Sequence, residues 1–89
     1  MSKSKNKVLV FTSDDCAACE ISTPIIERIA KRRGVEVQEF DPVDDPVFAQ
    51  KFDVNVLPTY VLLKDDQFCA ELHGCVTEAT AERFVSMCC

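Results

Sequence analysis

The sequence predicts an α/β domain of order β-α-β-α-β-β-α, built on a four-stranded mixed sheet with helices on both faces. Three observations carry that prediction. Val8-Leu-Val-Phe11 and Thr59-Tyr-Val-Leu-Leu63 are continuously apolar rather than alternating, which suits strands covered on both sides. A helical pattern from Cys16 to Arg33 separates the first of these runs from Val35–Phe40, making a βαβ unit with parallel strands. Lys64-Asp65-Asp66 then joins two β-rich stretches as an antiparallel hairpin.

The chain has 89 residues, enough for one domain with one modest core. Residues 1–6, polar and basic, read as a disordered tail, and residues 7–89 as the domain. A net charge of −5 argues against a nucleic-acid binder, which carries a basic face. No apolar run approaches the roughly 20 residues of a membrane span, so no membrane association is expected. The basic start leads into only four apolar residues, so a signal peptide is not expected and the default compartment is the reducing cytoplasm. In that setting six cysteines (Cys16, Cys19, Cys69, Cys75, Cys88 and Cys89) point to redox or metal chemistry rather than to a disulfide framework.

Taken in order, Lys7–Phe11 is the first strand. Thr12–Asp15 interrupt it, and Asp14 or Asp15 is expected to cap a helix that starts near Cys16. On that helix Cys19, Ile21, Ile25, Ile26 and Ile29 form the apolar side, and Glu20, Glu27, Arg28 and Lys31 the wet one. Lys31-Arg32-Arg33 suit its negative end and Gly34 its stop. Pro24 lies inside the helix and should kink it. Val35–Phe40 is the second strand. Asp45-Pro46 opens a short helix to about Phe52, which buries Val47 or Phe48 together with Phe52. Val54–Leu57 form a loop ending at Pro58, Thr59–Leu63 a third strand, and Gln67–His73 a fourth. Gly74 ends the hairpin. Thr77 caps a last helix on which Ala81, Phe84, Val85 and Cys88 share one face.

The chemistry lies in Cys16-Ala-Ala-Cys19. Two cysteines three apart at a helix start can close a small disulfide ring. The first thiol meets the positive end of the helix, which favours its thiolate. Cys16 is therefore the expected nucleophile and Cys19 the resolving thiol. Asp14 and Asp15 oppose this, since nearby negative charge disfavours a thiolate. No Lys, Arg or His lies within eight residues of Cys16, so activation falls to the helix terminus.

These residues resemble the thioredoxin-like family: a strand running into Cys-x-x-Cys, a proline five residues after the second cysteine (Pro24), the loop end Leu57-Pro58-Thr59-Tyr60, and Gly74 sixteen residues after Pro58. The resemblance spans Val8 to about Met87 and implies a minimal, glutaredoxin-sized thioredoxin fold. It implies a small protein-disulfide reductase or dithiol electron carrier that needs no cofactor. It also implies that Pro58 is cis beside the cysteines, and that Leu57, Pro58 and Gly74 bind an extended substrate segment by strand addition. Protein disulfides are the implied substrates, and a thioredoxin reductase-type or glutathione system the implied electron source. A monomer is expected. Three departures stand out. There is no tryptophan before the first cysteine, Ala17-Ala18 replace the usual Gly-Pro, and Val10 stands where thioredoxins carry a buried aspartate. Gly74-Cys75-Val76-Thr77 replaces the glutathione-gripping stretch of glutaredoxins.

Alternatives stay open at the level of sequence. One is a glutathione-recharged glutaredoxin-like protein. Another is a non-enzymatic binding or zinc module with Cys16 and Cys19 joined by Cys69, His73, Cys75 or Cys88/Cys89; Cys69-x3-His73-x-Cys75 is not a common ligand spacing, and the expected metal assignment is none. His73 reads as a satisfied strand residue, Cys69 as a small apolar one, and Cys75 as a candidate auxiliary thiol. Cys88-Cys89 reads as a buried-plus-exposed terminus or a second redox pair.

Overall fold

Val8, Leu9, Val10 and Phe11 are all buried, because successive side chains of this strand enter two different cores. Val8 and Val10 join Tyr60 and Leu62 under Ile26, Ile29, Ala30, Ala81, Phe84 and Val85. Leu9 and Phe11 join Val61 and Ala49 on the other face, with Phe40, Phe48, Phe52 and Leu63 packed against them. The computed structural model of the chain describes residues 6–87, so Cys88, Cys89 and all but the last residue of the 1–6 tail lie outside the described residues.

The elements are β1 (Asn6–Phe11), α1 (Ala17–Arg32), β2 (Glu36–Phe40), α2 (Pro46–Lys51), β3 (Thr59–Lys64), β4 (Gln67–His73) and α3 (Glu78–Ser86). Strand order is β2-β1-β3-β4. β1 pairs in parallel with β2 and antiparallel with β3, and β3 pairs antiparallel with β4. The four-stranded mixed sheet with helices on both faces is thus what the apolar runs predict: α1 and α3 cover one face, α2 the other.

Several local expectations change. Neither Asp14 nor Asp15 caps α1; Cys16 does so itself, with its own sulfur as the acceptor. The buried stripe of α1 is Cys19, Ser22, Thr23, Ile26, Ile29 and Ala30, while Ile21 is 66% exposed. The isoleucine spacing misleads because Ile21 lies two positions from Cys19, on a different side of the helix. α1 runs on through Pro24, which is exposed. α2 opens at Pro46 after Asp45, although the Asp45 side chain makes no capping bond. Val47 is exposed, and Phe48 and Phe52 take up the packing, their rings 5.1 Å apart and edge-on. Thr77 caps α3 as expected, accepting from the Thr80 N–H at 3.2 Å. Glu82 of α3 accepts twice from Arg33, through Nε at 3.0 Å and Nη2 at 2.7 Å, and lies 3.4 Å from Arg32 Nη1, while Arg28 meets Glu78, so three ion pairs tie α1 and its C-cap to α3. The Arg33 hydrogen bond also holds the Glu82 carboxyl below its ordinary range.

Candidate active site

The site grows from the end of β1. The Thr12 N–H donates to the Phe40 carbonyl at 2.9 Å, which extends the β1–β2 ladder by one rung before the chain turns. The turn is closed locally. Ser13 Oγ accepts from the Asp15 N–H at 3.2 Å, and the Ser13 carbonyl accepts from the Cys16 N–H at 3.4 Å. Asp14 and Asp15 point into solvent.

Cys16 has extended backbone (φ −109°, ψ 105°), as a residue flanking a helix start should. Its Sγ accepts the Cys19 N–H at 3.1 Å. A cap of this kind places sulfur where unpaired amide groups converge and where the helix dipole is positive. Cys16 and Cys19 form a disulfide with Cα atoms 5.2 Å apart, inside the ordinary range. The two sulfurs are not equivalent: Cys16 is half-buried, whereas Cys19 is 2% exposed.

The opposite wall comes from β3 and the loop before α3. Phe11 is paired with Thr59, so Pro58 sits against the end of the strand from which the cysteine loop springs. The Leu57–Pro58 bond is cis, and Pro58 is buried. Thr59 Oγ1 donates to the Val56 carbonyl at 2.6 Å, which fixes the loop below Pro58. That hydroxyl has one proton, so the His73 Nδ1 contact at 3.1 Å has the ring N–H as donor. His73 is accordingly a satisfied strand residue, as its position on β4 suggests.

The Gly74 N–H donates to the Pro58 carbonyl at 2.8 Å, and the Val76 N–H donates to Ser22 Oγ at 3.0 Å. Gly74 has φ +81°, a value that costs an L side chain energy and suits glycine. These two bonds clamp the 74–76 segment between Pro58 and the second turn of α1. Cys75 lies at the middle of the clamp as an exposed free thiol. Cys69, on β4, packs half-buried against the larger core and is not a free thiol, so it is more than the small apolar residue its position suggested.

Sequence reasoning missed the polar side of α1. Ser22, Thr23 and Tyr60 are buried among apolar neighbours, and Tyr60 is 0% exposed. Burial pushes the Tyr60 hydroxyl up in pKa, against the moderating hydroxyls of Thr23 and Ser22 that it faces. The detectable signal was Ser22-Thr23 itself, two hydroxyl residues set three and four positions after Cys19. Farther along, Glu27 shares a hydrogen bond with Glu39 of β2, and that bond, partial burial and the Glu39 charge push its carboxyl up to about 7. Val10, in the place where a carboxylate was absent from the sequence pattern, is fully buried.

Among the described residues no group of three or more His, Cys, Asp or Glu side chains is placed to hold a metal ion. Likewise no helix among them is long and apolar enough to cross a membrane.

The thioredoxin family model matches residues 1–87. The thioredoxin of Mycobacterium bovis is 30% identical over 88 residues, which cover 97% of this chain and 76% of that protein. Chloroplastic thioredoxin Y1 of Arabidopsis thaliana is 28% identical over 64 residues, 70% of this chain but only 37% of that protein's length. Among solved structures, Fasciola hepatica thioredoxin superposes with a TM-score of 0.83 at 26% identity, covering 96% of this chain and 82% of its own.

Proposed function

The chain belongs to the thioredoxin family and is a thiol–disulfide oxidoreductase; from that premise we propose that Cys16 is its nucleophile, Cys19 its resolving thiol, and protein disulfides its substrates. One observation carries the assignment of roles. The Cys16 sulfur caps α1 and accepts the Cys19 amide at 3.1 Å, while Cys19 is buried one turn in. A thiolate on Cys16 gains that amide and the helix terminus; one on Cys19 starts without water.

The cycle balances as follows. The Cys16 thiolate attacks one sulfur of a substrate disulfide, and the other sulfur leaves as a thiolate that takes up a proton. The Cys19 thiol then loses its proton and attacks Cys16 Sγ. The mixed disulfide breaks, the substrate departs as a dithiol carrying two electrons, and the Cys16–Cys19 disulfide remains. A thioredoxin reductase-type or glutathione system returns the two electrons. The Leu57 backbone, Pro58 and Gly74 bind the extended segment around the substrate disulfide, a role supported by their place at the edge of the cysteine loop. An exposed free thiol at Cys75 is consistent with a reducing compartment, and we place the protein in the cytoplasm as a monomer.

The test is reduction of insulin disulfides. Wild-type protein supplied with a dithiol accelerates it, and Cys16→Ser loses at least 100-fold of the rate, roughly the share that nucleophilic chemistry supplies. Retention of full activity by Cys16→Ser overturns the assignment. Coupled assays with thioredoxin reductase and with glutathione reductase identify the electron source.

A further inference from the structure

Two buried hydroxyls lack partners. Thr23 Oγ1 and Tyr60 Oη are closed to solvent, yet no group meets either at hydrogen-bond distance and angle. Leaving a buried hydroxyl unpaired costs about 1–3 kcal/mol, so two in one place call for an account. They sit together: Tyr60 of β3 faces Thr23 and Ser22 of α1. Ser22 Oγ accepts the Val76 N–H, while the Thr23 and Tyr60 hydroxyls lie near one another without a bond of good geometry.

Their position relative to the disulfide explains the vacancy. Thr23 follows Cys19 by four residues, and both belong to the buried stripe of α1. Residues four apart are neighbours on a helix, and helical side chains lean toward the N-terminus, so Thr23 covers the turn that carries Cys19. In the disulfide, Cys19 Sγ is neutral and a weak acceptor. Once reduced, it must become an anion to resolve a mixed disulfide. Cys19 is itself only 2% exposed, so water solvates that charge poorly.

We propose that the Thr23 and Tyr60 hydroxyls are positioning donors held for the Cys19 sulfur, unpaired in the disulfide and paired to Cys19 when it is reduced. This rests on Cys19 being the resolving thiol. In the resolving step the Cys19 S–H bond breaks, the Cys19 sulfur bonds to Cys16 Sγ, and the Cys16–substrate S–S bond breaks. The proton goes to the departing substrate thiolate, so no added base or oxidant is required. The hydroxyls donate to the anion as it forms and keep their own protons. The other ionisable groups around this cluster are Cys16 on the same helix, Cys75 on the clamped loop, and Glu27 farther along α1; the charges of the last two reach Tyr60, while Asp14 and Asp15 face solvent.

The experiment is stopped-flow reaction of the reduced protein, with Cys69, Cys75, Cys88 and Cys89 replaced by serine in every form compared, with 5,5′-dithiobis(2-nitrobenzoate), which releases one thionitrobenzoate on attack by Cys16 and a second on attack by Cys19. In Tyr60→Phe and in Thr23→Val the first release is unchanged. The second has its pH midpoint raised by about one unit and slows about threefold at neutral pH, because a tenfold loss of thiolate is partly offset by the higher nucleophilicity of a more basic sulfur. Each variant's disulfide also becomes about tenfold harder to reduce against glutathione, about 30 mV more negative. Thr23→Ser, which keeps the hydroxyl, restores the wild-type second release. The disulfide forms of Tyr60→Phe and Thr23→Val melt no earlier than wild type, since they lose unpaired groups; if one does not fold, the other decides. An unchanged pH midpoint, or a slowing that Thr23→Ser does not rescue, overturns the proposal. Loss of the first release in Cys16→Ser is the separate check on the roles of the two cysteines.

Discussion

At the scale of single residues, the site is organised by hydroxyls more than by charges. Ser22 is 0% exposed and receives the Val76 amide, which joins the second turn of α1 to the loop holding Cys75 and, through Gly74, to Pro58. Removing that hydroxyl strands a buried N–H. Ser22→Ala is expected to cost about 1–3 kcal/mol in urea unfolding of the disulfide form. It should also speed hydrogen exchange of the Val76 amide more than that of Val61 at the sheet centre, because the loop loosens before the sheet does. Equal acceleration at both amides would mean that Ser22 supports the whole domain and not the clamp. The cysteine pair needed no structure to be found: its spacing and its place after an apolar run were enough. Ser22, Thr23 and Tyr60 escaped notice because a hydroxyl in a helix or strand is common, and only burial distinguishes these from surface ones.

At the scale of elements, α1 meets β2 through a pair of carboxyls, Glu27 and Glu39. The folded Glu27 titrates near 7 against an ordinary 4.5, chiefly because it shares a proton with Glu39. Between those values the folded chain holds more protons than the unfolded one, so the pair's stabilising share is complete below 4.5 and is lost as pH rises through 7. Much of the raw shift is screened by water at this half-buried position, leaving about 1 kcal/mol. Glu27→Gln is therefore expected to gain about 1 kcal/mol at pH 8 and almost nothing at pH 5, as read by thermal unfolding at the two pH values. An equal gain at both would place the effect in helix propensity instead. Element boundaries were legible to within a residue or two, since Gly34, Pro46, Gly74 and Thr77 punctuate the chain with residues of fixed backbone preference. The α1 cap was not, because a sulfur took the place of the oxygen acceptors that Asp14 and Asp15 offer. Nor was the outward turn of Ile21, since hydrophobicity alone does not fix which flank of a helix meets a sheet.

At the scale of the molecule, two cores of unequal size share one sheet. The larger holds α1 and α3; the smaller gathers four phenylalanines under α2, with Phe40 and Phe48 rings 4.8 Å apart. Phe84, 2% exposed, is the large side chain of α3 in the first core. Phe84→Ala is expected to cost about 3–5 kcal/mol, at least about a fifth of the roughly 5–15 kcal/mol available to a domain of this size. Guanidinium unfolding of the disulfide form measures it, and a loss below 1 kcal/mol would show that α3 contributes little to the core. Fold class was legible because the two apolar strands lacked alternation, and only a sheet clad on both faces accommodates that pattern.

β1 comes first in the chain but lies between β2 and β3 in the sheet. Joining Phe11 to Thr59 closes a loop of about 50 residues, whereas α1 forms from neighbours alone. A chain made N-terminus first therefore presents Cys16 and Cys19 well before β3, with Pro58 just ahead of it, pairs with β1. Until that closure the two thiols are open to any oxidant of suitable size. Discrimination among partners therefore depends on a long-range pairing that the chemistry of the two sulfurs does not need.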